Sequence, residues 1–165
     1  MEQTIVERLT DAISEEIRAI KQFCDQELEV KQHLFDKDWK NLNGAIEESQ
    51  KTSERIQVLE EERDSLFEEL CSYTGEESRA NFYHVIVHLP TGERDRLGYL
   101  YRELKLAVYQ MQSITAGIDT YISSMRETMN HILEEVFPHR KGKIYAKDGK
   151  ETSKETDPMV ISHRL

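Results

Sequence analysis

Residues 5–28 read IVERLTDAISEEIRAIKQFCDQEL, and the reading of this stretch decides the fold. Apolar side chains fall at Ile5, Leu9, Ile13, Ile17, Ile20, Cys24 and Leu28, in steps of three and four. That is the period of an amphipathic helix. Nothing interrupts it: the first proline of the chain is Pro90, and only Gly44 falls inside the long helical pattern before it. Proline in a helix interior costs about 3 kcal/mol, so its absence lets long helices run.

Working outward, the first helix is expected from about Glu2 to Leu34, on the order of 50 Å at the rise of an α-helix. Leu34-Phe35-Asp36-Lys37-Asp38-Trp39 is the first punctuation, with Asp36 or Asp38 able to cap a new helix. A continuous helix through this point is the alternative. The spacing resumes at Ile46, Ile56, Leu59, Leu66 and Leu70, which predicts a second helix from about Trp39 to Tyr73. Thr74-Gly75 ends it, with glycine suited to the left-handed residue after a helix. A short segment from Arg79 to Leu89 reads as helical despite Val85-Ile86-Val87, and Leu89-Pro90-Thr91-Gly92 breaks the chain again. The last helix is expected from Thr91 to Phe137. Its stripe is Leu97, Leu100/Tyr101, Leu104, Val108, Met111, Ile114/Thr115, Ile118, Ile122, Met125, Met129, Ile132/Leu133 and Val136, and Pro138 stops it.

The expected fold is therefore all-α: long antiparallel amphipathic helices forming an elongated bundle over residues 1–138. Residues 139–165 hold few apolar side chains and much Lys, Ser, Thr and Asp, and read as a largely disordered tail. Its basic part carries one apolar pair, Ile144-Tyr145, read either as folding back on the bundle or as a docking signal.

Composition narrows the function. The 165 residues are 33% charged and 38% hydrophobic, with a mean hydropathy of −0.68, which suits a thin bundle with much exposed surface. The net charge of −10 argues against nucleic acid as a partner. Much of the acid lies between Glu47 and Glu77, where eleven acidic residues face only Lys51, Arg55 and Arg63, as on a solvated helix face. No stretch reaches the apolar length of a membrane span, and the start of the chain lacks the pattern of a secretory signal. The expectation is a cytoplasmic protein with reduced thiols and no integral membrane segment.

No catalytic constellation emerges, and no enzyme, cofactor or metal is expected. His84 and His88 share a face if helical, but no third ligand stands near them, and a stable zinc site needs three or four. Cys24 and Cys71 fall at helix-periodic positions, where cysteine acts as a small hydrophobe. Gly142-Lys143 lacks the rest of a phosphate-binding loop. Trp39, with Leu42, is read chiefly as a plug at the end of a helix hairpin. The methionines Met111, Met125 and Met129 lie on a stripe that is either core or an adaptable binding face.

Four motifs then line up in order: Asp38-Trp39-x-x-Leu42, Leu59-Glu60-x-x-Arg63-x-x-Leu66, Leu89-Pro90-x-x-Glu93-Arg94-x-x-Leu97, and Ile144-Tyr145-x-x-x-Gly149. Their order and spacing resemble the FlgN family of flagellar export chaperones, over nearly the whole chain to about Lys150. Where that family carries an Asn-x-x-Asn pair in its last helix, this chain reads Ile114-Thr115-Ala116-Gly117-Ile118. The resemblance implies a non-enzymatic cytoplasmic chaperone. Its cargo would be hook–filament junction (hook-associated) proteins, bound through their C-terminal helical segments. It would prevent their premature assembly and deliver them to the cytoplasmic domain of the flagellar type III export gate. The cargo site would be Met125, Met129, Ile132, Leu133, Val136 and Phe137, and the gate-docking residues Ile144, Tyr145 and Gly149. The alternative from another class is a coiled-coil scaffold or assembly subunit without cargo.

Overall fold

The computed structural model describes residues 4–77 and 80–137, together with the backbone of 144–145 and 151–152. Four helices account for nearly all of it: α1 (Ile5–Asp36), α2 (Trp39–Thr74), α3 (Phe82–Ile86) and α4 (Thr91–Val136). The fold is all-α, as the periodicity requires. The sheet pairing among the described residues is a two-residue antiparallel ladder between β1 (Ile144–Tyr145) and β2 (Glu151–Thr152). The expected domain boundary at 138/139 and the expected disorder of the tail lie outside the described residues. The chain divides into two compact units, Met1–Tyr121 and Ile122–Leu165.

The breaks have local causes. Thr4 opens α1 with a capping box: its hydroxyl accepts from the Glu7 amide at 3.2 Å, and the Glu7 carboxylate accepts from the Thr4 amide at 2.9 Å. Lys37 closes it in the left-handed conformation, φ 57°. The Lys37 amide donates to the Leu34 carbonyl and the Asp38 amide to that of His33, the paired bonds of a Schellman end. The helix is therefore not continuous through this point. Asp38 immediately caps α2, accepting from the Asn41 amide at 3.3 Å and its side-chain nitrogen at 2.8 Å. Gly75, φ 79°, ends α2 as expected.

In the first unit α1 and α2 form an antiparallel hairpin. Arg8 pairs with Glu69, Glu16 with Arg63, and Ser49 donates to Glu27, so one chain descends as the other rises. α3 ties α2 to α4 through aromatic rings: Phe82 stacks on Phe67 at 5.4 Å and on Tyr101 at 4.0 Å. Tyr101 lines one cleft with Leu9, and Tyr121 meets Phe35 at 4.3 Å, so α4 runs in the direction of α1. The core joins Leu9, Ile13 and Ile20 to Leu66, Leu70 and Cys71, to Val85 and Ile86, and to Leu97, Leu104 and Ala107.

Several expected core positions differ. Leu28 and Ile46 are exposed, and Val30, Ser49 and Thr52 are buried instead. The α2 seam steps through Leu42, Ser49, Thr52, Ile56, Leu59, Arg63, Leu66 and Leu70, a heptad spacing that accepts small polar residues where the helices approach. Trp39 does not plug the hairpin: it is 54% exposed, while Leu42 is buried. As the first residue of α2 it stands at the mouth of the turn, whereas Leu42 lies one turn inside.

Candidate functional site

The candidate cargo residues lie in the second unit, on the last turns of α4 and, for Phe137, just past its end. Their spacing continues the seam that begins at Leu97, through Ile118, Ile122, Met125, Met129, Ile132 and Val136. Upstream that seam is core: Leu97, Leu104, Ala107 and Ile118 are all buried. Downstream it is not. Met125 is half-buried, and Met129, Ile132, Leu133, Val136 and Phe137 are exposed, from 45% at Leu133 to 61% at Val136. Ile122 is exposed as well, and sequence reasoning left it out of the site although it falls on the same stripe.

A run of exposed apolar side chains at a three-four spacing is the face that helix partners bury. Scattered surface leucines need no explanation, but a contiguous strip does. The end of this helix also lacks the usual support. Its last turn has no basic residue, and Glu134 and Glu135 stand against the negative end of the helix dipole. Without packing on its apolar face, such a segment has little to hold it helical.

Of the candidate docking residues, Ile144 and Tyr145 form β1 and pair with Thr152 and Glu151. Gly149 lies outside the described residues.

The other sequence candidates resolve into structure. His84 is inside α3 and His88 beyond its end, so the two do not share a helix face; His88 Nε2 lies 3.0 Å from Glu76 Oε1. Cys24 and Cys71 are free and buried, and burial above all pushes both thiols up, the opposite of what a nucleophile needs. Among the described residues no group of His, Cys, Asp and Glu is arranged for a metal ion, and no helix is long and apolar enough to cross a membrane.

The comparisons with known proteins bear on this arrangement. The model of the FlgN protein family matches residues 1–153. No curated protein and no solved structure matches the chain. The family match spans all four helices and reaches past Tyr145, covering the motifs in the order in which the chain presents them. The chain thus belongs to the FlgN family, the chaperones of flagellar protein export.

Proposed function

We propose that this chaperone binds hook-associated proteins through the exposed stripe at the end of α4, holds them unassembled in the cytoplasm, and delivers them to the cytoplasmic domain of the export gate. The observation that carries the reading is the exposure of Met129, Ile132, Leu133 and Val136 on a seam whose upstream part is core. Assembly-competent cargo termini of this class are amphipathic helices, and a helix with an apolar stripe is what such a seam accepts. Cargo binding gives the stripe its missing partner. Ile144, Tyr145 and Gly149, beyond the helix, supply the separate contact with the gate.

The test is co-expression with a hook-associated protein followed by gel filtration. A defined complex, lost on Met129→Asp with Leu133→Asp in a folded chain, supports the reading. Self-association through the stripe with no uptake of that protein would favour the scaffold reading instead.

A further inference from the structure

A second strip runs along α4 in the first unit, on the side turned away from the core. Tyr99, Arg102, Leu106 and Tyr109 follow one another in steps of three and four, so they share one helix face. All four are exposed, Tyr99 to 57%, Leu106 to 62% and Tyr109 to 67%. The core-facing seam of the same turns is a different set, Leu97, Leu104 and Ala107. None of these four side chains belongs to the buried core. Tyrosine and arginine are the residues that anchor protein interfaces, and a three-four spacing is what a partner helix packs against.

Charge narrows the partner. The arginines of α1 and α2, Arg8, Arg18, Arg55 and Arg63, each hold a carboxylate. Arg102 holds none among the described residues, although acidic residues outnumber Lys and Arg by 32 to 22 in the chain. Lys105 has no carboxylate either; its ammonium lies over the rings of Tyr101, at 4.6 Å, and Tyr83, at 5.6 Å. Beside them, Tyr83, Ile86, Arg94, Asp95, Gly98 and Arg102 line a cleft of about 250 Å³ between α3 and α4. Asp95 there is occupied by Arg94 at 3.5 Å.

We propose that the strip from Tyr99 to Tyr109 is a second docking surface, distinct from the end of α4, and that its occupant is an amphipathic helix of another protein with carboxylates along the edge of its apolar stripe. The tyrosines and Leu106 take the apolar side chains. Arg102 and Lys105 take the carboxylates, as bonds that the isolated chain leaves unmade.

The experiment measures anisotropy of a labelled synthetic helix on the full chain. One peptide carries leucines at three- and four-residue spacing rimmed by glutamates; its sister carries lysines in place of the glutamates. The glutamate peptide should bind, with affinity falling as salt rises, and the lysine peptide should not. Arg102→Glu with Lys105→Glu should weaken binding by about tenfold or more, and Leu106→Ser similarly. Thermal melts should be unchanged, since these side chains are exposed. Binding should survive Met129→Asp with Leu133→Asp, which separates this surface from the cargo stripe. Equal binding of both peptides, no binding, or loss only in the Met129/Leu133 variant would overturn the proposal. So would a salt-sensitive dimer that Arg102→Glu dissolves, which would make a second copy the occupant.

Discussion

Arg63 Nε donates to Glu16 Oε2 at 2.7 Å inside the seam between α1 and α2, where the glutamate side chain is 4% exposed. The guanidinium also reaches Asp64 at 2.7 Å and Glu60 at 3.7 Å, so one arginine serves three carboxylates. Two charges thus occupy positions that a coiled-coil-like seam usually gives to leucine. Burial is the strongest influence on Glu16: it holds the carboxyl above its ordinary range even though Arg63 pulls the other way. The attraction does not fully offset the loss of water.

Removing only the arginine should be costly. Arg63→Met leaves a buried carboxylate without its partner and should destabilise the chain by about 3–5 kcal/mol. Replacing both, Glu16→Met with Arg63→Leu, should cost far less or stabilise. Urea unfolding of the three proteins checks this; equal losses in the single and double variants would contradict it.

The pH dependence of stability should have two opposed parts. Glu16 has a raised folded pKa, so its contribution is fully present below the unfolded value and is lost as pH rises through the folded one. Asp38 has a lowered pKa, chiefly from the Asn41 side-chain hydrogen bond. Its contribution is present above the unfolded value and lost as pH falls through the folded one. Glu16→Gln should therefore remove the decline on the rising side, and Asp38→Ala the decline on the falling side. Unfolding midpoints across the acid range should show each slope vanish in its own variant.

Lys37→Gly should stabilise the turn between α1 and α2. A non-glycine residue in the left-handed region costs about 1 kcal/mol, and glycine removes that cost while keeping the backbone bonds of the helix end. The expected gain, up to about 0.5 kcal/mol net of the greater freedom of the unfolded chain, is read from the melting temperature.

The two halves of the α4 stripe should respond differently to the same chemistry. Leu104→Ala removes a buried side chain and should cost about 2–5 kcal/mol. Met129→Asp with Leu133→Asp changes exposed side chains and should alter stability by no more than about 0.5 kcal/mol each, while abolishing cargo binding. Hydrogen exchange gives an independent readout: amides from Met125 to Val136 should exchange fast in the free chain and slowly with cargo bound.

Tyr145→Ala should leave melting temperature and cargo binding unchanged and weaken binding to the export gate, most clearly with cargo bound. A large aromatic removed from a core would instead cost about 3 kcal/mol or more, which a thermal melt separates from a docking defect.

Much of the fold was legible because its signals are local. The periodicity of Ile5 to Leu28, the Asp38 cap and the Gly75 end each depend on a few neighbouring residues, and all three stand in the structure. Burial is different, because it needs a partner from elsewhere in the chain. Leu28 and Ile46 have the right spacing and face outward, while Glu16, Ser49 and Thr52 are polar and face inward. Trp39 offers the largest apolar surface near the turn, yet Leu42 is what the hairpin encloses.

The stripe of α4 makes the division plain. By itself the sequence determined that Leu97 to Val136 is one amphipathic helix, since the three-four step never falters. Along the stripe it carried no mark of where burial ends, because the stripe positions after Ile118, Ile122 to Val136, are apolar like those before. Only the tertiary structure decided that Leu104 and Ile118 are enclosed while Met129 and Val136 meet water. Helix formation is settled within a turn or two of chain, whereas enclosure is settled by which other helices lie alongside.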